Sequence, residues 1–186
     1  MEPIQAIIVD DEELARSIIR EYLAEHAEIE IVAECSNGFE AVKAVTELKP
    51  DLAFLDVQMP KLNGFEVLEL IESDLVVIFI TAYEQYAVKA FEVHAVDYLL
   101  KPFSKERFDE ALDRAKEKLV RKEIPPYQEI ISSARSKGET VERVLVREGS
   151  RVFVIAAEKI DFIEAQDDYI AIKTDGKTHL KKQRLS

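Results

Sequence analysis

The 186-residue sequence has few of the residues that carry redox or metal-thiolate chemistry: one cysteine and three histidines. The single Cys35 excludes an intrachain disulfide, and a lone cysteine fits a reducing cytoplasm. No apolar run reaches the ~18 residues that a membrane-spanning helix needs, and the first residues lack the basic region and apolar core of a signal peptide. We therefore expect a cytoplasmic protein without a membrane segment.

Charge is unevenly distributed along the chain. The formal net charge is -12, and most of the acidic excess precedes residue 137. The hydrophobic content of 47% is sufficient for a buried core. An acidic first part and a nearly neutral second part indicate two domains with different partners.

Residues up to about 120 alternate between short apolar runs and amphipathic stripes. This alternation predicts right-handed strand–helix–strand crossovers and a parallel sheet of five strands with five helices. The predicted strands are residues 4–9, 29–33, 52–55, 75–80 and 97–100. The block at 52–55 is continuously apolar and lies between two prolines, as expected for a strand covered on both faces.

Polar side chains follow four of these strands. They are Asp10 with Asp11, then Asp56, Thr81 and Lys101. Because the carboxyl ends of parallel strands line one edge of such a sheet, we expect these groups to converge on one crevice. Asp11 and Asp56, with Asp10 acting through water, would hold Mg²⁺, and the Asp56 carboxylate would attack a phosphoryl group. Thr81 would donate its hydroxyl to one phosphoryl oxygen, and Lys101 would balance another.

In order and context, these residues resemble the receiver domain of two-component response regulators. The resemblance rests on Asp10-Asp11 after the first strand, Asp56 before Val57-Gln58-Met59-Pro60, Thr81-Ala82 after the fourth strand and Lys101-Pro102-Phe103 after the fifth. It implies a flavodoxin-like doubly wound sheet of order 2-1-3-4-5. It also implies that a sensor histidine kinase phosphorylates Asp56, and that the backbone carbonyl of Gln58 completes the metal shell. We also expect a homodimer on phosphorylation.

Four side chains at or near the crevice are predicted to control the response. A phosphoryl group on Asp56 would draw Thr81 toward it, and Tyr98 on the neighbouring strand would then turn inward. Gln58 and Tyr83 each lie two residues beyond a site residue. Gln58 could orient an attacking water, whereas Tyr83 could exclude it, and we predict slow autodephosphorylation. The alternative is that Gln58 and Tyr83 point into solvent.

After residue 141 the pattern changes to short alternating strands. We predict strands at 144–146, 152–155, 160–163 and 169–172, with hairpin turns at Gly149-Ser150 and Asp175-Gly176. This part resembles the opening of a LytTR-type DNA-binding domain. The family would continue beyond Ser186 into a helix and further strands, so we expect a truncated protein or a natural fragment. The resemblance implies binding to promoter DNA by the full-length protein but not by this chain.

The predicted domains are a receiver at 1–122, a linker at 123–140 and a partial all-β domain at 141–186. The leading interpretation is a transcription regulator controlled by phosphorylation. A receiver that acts only as a protein-interaction switch is the second. An aspartyl-phosphate phosphatase is the third, but such enzymes need a catalytic aspartate where Gln58 stands, so we do not expect an enzyme.

Four further residues are assigned no chemical role. The histidines His26, His94 and His179 lie outside the predicted crevice, and Cys35 is expected to be a small packing residue.

Overall fold

The computed structural model describes residues 2–121, 127, 141–166 and 169–182. The chain divides into two compact units, residues 1–134 and 135–186. Apart from Tyr127, the predicted linker at 123–140 lies outside the described residues, and so do residues 183–186. The predicted domain boundaries therefore stay a prediction.

The first unit is a five-stranded parallel sheet with helices on both faces. The strand order β2-β1-β3-β4-β5 confirms the predicted order 2-1-3-4-5. The strands are β1 (Ile4–Val9), β2 (Ile29–Cys35), β3 (Leu52–Leu55), β4 (Val76–Thr81) and β5 (Asp97–Leu100). The helices are α1 (Glu13–Leu23), α2 (Gly38–Leu48), α3 (Gly64–Leu70), α4 (Ala87–Glu92) and α5 (Lys105–Arg121).

The strands of this sheet are apolar on both sides because both sides are covered. On one side, Phe54 of β3 stacks on Phe108 of α5 with ring centroids 5.2 Å apart, in a core shared with α1. On the other side, Phe79 of β4 contacts Phe65 of α3 with centroids 4.9 Å apart. All four residues of β3 are buried, in agreement with its continuously apolar sequence.

Helices α2 and α3 begin at side-chain caps. The Asn37 side chain accepts a hydrogen bond from the Glu40 N–H at 3.0 Å. Asn63 and Glu66 form a reciprocal capping box at the start of α3. Among the described residues, no helix combines the length and apolar character needed to cross a bilayer.

The region around α4 differs from its predicted form. The sequence predicts a weaker helix over roughly Glu84 to Val93, but a 3-10 turn occupies Glu84–Tyr86 and α4 covers only Ala87–Glu92. Neither segment has a side-chain cap, and Ala90 is the one buried residue of α4. Because a short helix without a cap gains little from its own hydrogen bonds, this region is weakly stabilised.

The second unit consists of two antiparallel sheets, which confirms the predicted all-β region. One sheet pairs β6 with β7, and the other has the order β10-β9-β8. The strands are β6 (Arg143–Glu148), β7 (Arg151–Ala156), β8 (Phe162–Gln166), β9 (Tyr169–Thr174) and β10 (Lys177–Lys182). At the predicted turn between β9 and β10, Asp175 and Gly176 both have positive φ angles, 47° and 75°, as in tight hairpins.

One strand of this unit starts later than predicted. The predicted strand at 160–163 begins at Phe162 because a 3-10 turn occupies Ala157–Lys159. The Ile160 N–H donates to the Ala157 carbonyl at 3.2 Å and so closes that turn. A small core of Val146, Ile155 and Ile172 lies within the unit.

Candidate phosphorylation and metal site

The carboxyl ends of the parallel strands bring the predicted site residues to one edge of the sheet. Asp10 follows β1, Asp56 follows β3, Thr81 ends β4 and Lys101 follows β5. The Asp56 N–H donates to the Val9 carbonyl at 2.8 Å, which holds the end of β3 beside the end of β1. The sequence order and the strand order together therefore assemble the site.

Three aspartates form the acidic part of this site. Asp10, Asp11 and Asp56 each offer a carboxylate oxygen, and these oxygens lie within 4.8 Å of one another. Asp10 and Asp56 are buried, at 1% and 5% exposure, whereas Asp11 is exposed. Three carboxylates so close together repel one another unless a cation lies between them, and hard divalent ions such as Mg²⁺ prefer oxygen ligands. The donor set therefore fits Mg²⁺.

Lys101 brings a positive charge into this cluster. Its Nζ lies 2.6 Å from Asp10 Oδ2 and donates to Asp56 Oδ2 at 3.0 Å. The contact with Asp10 is an ion pair rather than a hydrogen bond, since Asp10 Oδ2 has no hydrogen-bond partner among the described residues. Burial alone would lower the pKa of Lys101, but the contacts with Asp10 and Asp56 outweigh it and the pKa is raised. Lys101 therefore remains an ammonium ion at neutral pH.

For Asp10, burial has a larger effect on the pKa than the neighbouring positive charge. It raises the pKa of this carboxyl group above 3.8, although Lys101 and a hydrogen bond from the Glu12 N–H act in the opposite direction. The carboxylate form of Asp10 is thus destabilised in the protein, and a divalent cation would stabilise it.

The segment after Asp56 is packed closely against α3. The Gln58 N–H donates to Asp56 Oδ1 at 3.1 Å, and the Gly64 N–H donates to the Val57 carbonyl at 2.8 Å. A Cβ atom on Gly64 would lie only 2.5 Å from the Asp56 carbonyl oxygen. Glycine is therefore required at residue 64 for α3 to approach the Asp56 backbone that closely.

Thr81 contributes a hydroxyl group that is not paired. The side chain is 0% exposed, and within the part of the chain that the structure describes its Oγ1 has no hydrogen-bond partner. A buried donor without an acceptor is costly and uncommon. Its place at the end of β4 suits donation to an anionic oxygen that enters the crevice.

Two tyrosines lie beyond Thr81. The Tyr98 hydroxyl donates to the backbone carbonyl of Tyr83. The Tyr98 side chain is partly buried, and burial, the charge of Asp56 and the nearby Tyr86 together raise its pKa to about 12. Tyr83 itself is 39% exposed. This hydrogen bond connects β5 to the segment that leads into α4.

The residues assigned no role make contacts with other groups than the three aspartates, or are buried. His26 Nε2 lies 3.0 Å from Asp109 Oδ1, and His179 Nδ1 lies 3.2 Å from Glu148 Oε1 in the second unit. His94 follows α4 and its Nδ1 contacts the Glu92 carbonyl. Cys35 is buried, and burial raises the pKa of its thiol to about 12.

Sequence reasoning missed two features, one at the start of β5 and one beside Asp10. Arg107 donates two hydrogen bonds to Asp97 at the start of β5, at 2.9 and 2.5 Å, and Arg114 contacts the same carboxylate. Arg16 of α1 donates to the Asp10 carbonyl at 2.7 Å. Each pair joins residues on different elements, so the sequence offered only the arginine spacing along the helices, which is equally typical of a solvated face.

Comparison with known proteins identifies the family. A family model for the response regulator receiver domain matches residues 6–113. The chain belongs to the response regulator receiver family. The crevice described above is therefore a receiver site, and it implies interaction with a histidine kinase or another phosphodonor.

Relatives extend beyond the receiver. The chain is 37% identical over 179 residues to an uncharacterized response regulatory protein of Shewanella oneidensis, covering 95% of this chain and 72% of that protein. It is 36% identical over 168 residues to the transcriptional regulatory protein BtsR of Escherichia coli K12, covering 88% of this chain and 66% of BtsR. The chain thus spans about two thirds of the length of these curated relatives.

The fold has a counterpart among solved structures. The crystal structure of the response regulatory domain of protein mrkE from Klebsiella pneumoniae matches with a TM-score of 0.59 and 32% identity. The match covers 63% of this chain and 98% of that one. The flavodoxin-like receiver fold is thereby established for the first unit.

Proposed function

We propose that this response regulator accepts a phosphoryl group from a sensor histidine kinase on Asp56, in the presence of Mg²⁺, and thereby controls transcription. The observation that carries the proposal is the cluster of three carboxylates with Lys101 beside them and an unpartnered Thr81 hydroxyl at the same sheet edge. Asp10, Asp11, Asp56 and the Gln58 carbonyl would hold the metal.

The residues of the chain have separate tasks in this reaction. A carboxylate oxygen of Asp56 attacks the phosphorus, and the phosphorus–nitrogen bond of the donor phosphohistidine breaks, leaving the electron pair on the imidazole nitrogen. Lys101 and Thr81 stabilise the negative charge on the phosphoryl oxygens. When bound, Mg²⁺ neutralises the acidic residues and orients the incoming group.

The experiment measures intact mass after incubation with acetyl phosphate. Wild-type protein with Mg²⁺ gains one phosphoryl group, whereas Asp56→Asn and wild-type protein with EDTA do not. Asp51→Asn, before the same strand, is the matched control and is phosphorylated. Mass gain in Asp56→Asn, or equal gain in EDTA, would contradict the assignment.

We further propose that Thr81 and Tyr98 transmit the signal and that Tyr83 slows hydrolysis. Thr81 would move to donate to the phosphoryl group, and Tyr98 would turn inward and release the Tyr83 carbonyl. The exposed ring of Tyr83 would limit access of water, against a weaker orienting effect of Gln58. The decay rate of phospho-Asp56 tests this, because Tyr83→Ala should decay faster than wild type.

The output proposed for the full-length protein is DNA binding through a LytTR-type domain. The support is the resemblance of residues 141–186 to the opening of such a domain, together with the name of BtsR, a transcriptional regulatory protein. The test is a binding assay with the full-length protein and its own promoter fragment, with and without phosphorylation. Absence of binding in both states would contradict it.

The second candidate function is a protein-interaction switch without DNA binding. It is favoured by exposed apolar side chains on α4, where Val88 is 70% and Phe91 is 67% exposed. Exposed apolar side chains that lie close together often mark protein contacts, and they also support a homodimer on phosphorylation. Sedimentation of the phosphorylated protein, compared with Phe91→Ser, tests this surface.

A further inference from the structure

The β1–α1 turn carries two of the three acidic residues but has little support of its own. Helix α1 begins at Glu13, and its N-cap residue Glu12 makes no side-chain capping hydrogen bond. Asp10 Oδ1 accepts a hydrogen bond from the Glu12 N–H at 3.0 Å, which fixes the Asp10 carboxylate but not the peptide that leads to Asp11. The direction of that peptide therefore depends on contacts from neighbouring elements.

Arg16 supplies such a contact. Its Nη1 donates to the Asp10 carbonyl oxygen at 2.7 Å, and its side chain is only 12% exposed. The same guanidinium contacts Glu13 through Nη2, and its Nε lies 3.6 Å from Glu34 Oε2. A guanidinium is planar, so its N–H groups have fixed directions relative to one another. The contacts with Glu13 and Glu34 therefore also fix the direction of the N–H group that donates to the Asp10 carbonyl.

The opposite side of Asp10 is held by β2. The Asp10 N–H donates to the Cys35 carbonyl at 3.0 Å. Both backbone polar groups of Asp10 are therefore bound, one by β2 and the other by Arg16 of α1. The Asp10 carbonyl belongs to the peptide that precedes Asp11, so the Arg16 hydrogen bond sets the direction from which the Asp11 carboxylate approaches the acidic cluster.

We infer that Arg16 is a positioning residue for divalent-cation binding, acting through the Asp10 backbone. The inference rests on the proposed function, since it needs Asp10 and Asp11 to be metal ligands. Residues that orient metal ligands typically change metal affinity by about 10-fold or more when they are replaced. Arg16 touches neither the phosphoryl group nor the reacting oxygen in this scheme.

Electrostatics predicts the opposite effect, and this makes the inference testable. Arg16 is a cation near a cation site, so loss of its charge alone would make metal binding tighter. Arg20 is the matched control. It donates to Glu34 Oε1 at 2.5 Å and lies 3.8 Å from Glu13 Oε1, so it shares both carboxylates with Arg16, but its described contacts do not include Asp10.

The experiment is isothermal titration of the full chain with MgCl₂ for wild type, Arg16→Met, Arg20→Met, Arg16→Lys and Arg20→Lys. Arg16→Met should weaken Mg²⁺ binding about 10-fold, and Arg20→Met should leave it unchanged or tighter. Arg16→Lys should regain part of the affinity, because an ammonium can still donate to the Asp10 carbonyl. In phosphorylation by acetyl phosphate, Arg16→Met should raise the half-saturating Mg²⁺ concentration more than it lowers the maximal rate.

The outcomes separate this inference from the proposed function. Mg²⁺ binding by Arg16→Met as tight as by Arg20→Met would overturn the role of Arg16 and leave the proposed function intact. Absence of Mg²⁺ binding by folded wild-type protein would overturn both. If Arg16→Met does not fold, Mg²⁺ binding by the charge-conserving variants Arg16→Lys and Arg20→Lys tests the role of Arg16 instead. Weaker binding by Arg16→Lys than by Arg20→Lys supports the inference, and equal binding overturns it.

Discussion

The two sides of the acidic receiver site are stabilised to different degrees. On the side of β1, β3 and α3, backbone hydrogen bonds join Asp10 to β2 and Asp56 to β1, and a capping box starts α3. On the side of β4, α4 and β5, the Thr81 hydroxyl is unpartnered and α4 has neither a side-chain cap nor more than one buried residue. The first side holds Asp10 and Asp56 in place, whereas a rearrangement of α4 on the second side should cost little free energy.

The largest effect is expected from Lys101, whose charge lies between Asp10 and Asp56. Lys101→Met should lower the initial rate of phosphorylation by acetyl phosphate about 100-fold, because a positioned donor to the developing charge is lost. Lys105→Met is the matched control, since Lys105 pairs with Glu25 and Asp109 at the start of α5 instead. Similar rates for both variants would contradict a role of Lys101 in the reaction.

A smaller effect is expected from the close packing of α3 at Gly64. Gly64→Ala should reduce the free energy of unfolding by about 1–3 kcal/mol, because a Cβ atom would overlap the Asp56 carbonyl oxygen. Ala87→Gly, at the first residue of α4, should cost about 1 kcal/mol or less. Urea denaturation measures both losses of unfolding free energy. A larger loss for Ala87→Gly than for Gly64→Ala would contradict the view that the α4 side is the less stabilised one.

The side of β4, α4 and β5 contains an ion pair between the buried Asp97 and Arg107, and its contribution to stability should depend on pH. Burial alone would raise the pKa of Asp97, but the hydrogen bonds and charge of Arg107 lower it below 3.8 overall. A carboxyl group with a lowered pKa stabilises the folded protein above its unfolded pKa and loses this contribution as pH falls through the folded value. Asp97→Asn should therefore cost about 1.5 kcal/mol at pH 7.

The difference between wild type and Asp97→Asn should shrink as pH falls below about 4. Urea denaturation at pH 7 and at the lowest pH where both proteins fold measures it. Asp113→Asn is the control, because Asp113 of α5 is exposed and lies 3.6 Å from Lys116. A difference that stays constant with pH would show that Asp97 does not contribute as an anion.

The smallest effect concerns the hydrogen bond from Tyr98 to Tyr83. Tyr98→Phe should cost about 1 kcal/mol, and amide hydrogen exchange should become faster in α4 while α3 is unchanged. The hydroxyl is the only group removed, so the variant isolates the link between β5 and the segment before α4. Equal acceleration in α3 would mean that the two sides are not independent.

Much of the sheet and of the site could be predicted from sequence, because both follow from strand order. Five apolar runs alternating with helical stripes predicted the sheet, and strand-end positions predicted that Asp10, Asp56, Thr81 and Lys101 converge. The region around α4 was predicted less well. The segment from Glu84 has helical periodicity, but its first turn is a 3-10 turn, because periodicity reports which face is apolar and not whether a cap supports the helix.

Contacts between residues that lie far apart along the chain could not be predicted from the sequence. The role of Arg16 depends on the direction of a backbone carbonyl, and the pairing of Asp97 with Arg107 depends on how α5 packs against β5. The sequence Asn63-Gly64 predicts the start of a helix, but it does not predict the close approach of Gly64 to the Asp56 carbonyl. Each of these features requires the distance between elements, which side-chain periodicity does not encode.

The tyrosines at the site give the protein an intrinsic optical reporter. The chain has no tryptophan and six tyrosines, so its ultraviolet emission comes from tyrosine. Tyr83 and Tyr86 have ring centroids 6.2 Å apart, and the Tyr98 hydroxyl is bonded to the Tyr83 carbonyl. Hydrogen bonding of the phenol to a carbonyl alters the quantum yield of tyrosine. The proposed phosphorylation of Asp56, which would release this hydrogen bond, could therefore be followed in real time without any attached dye.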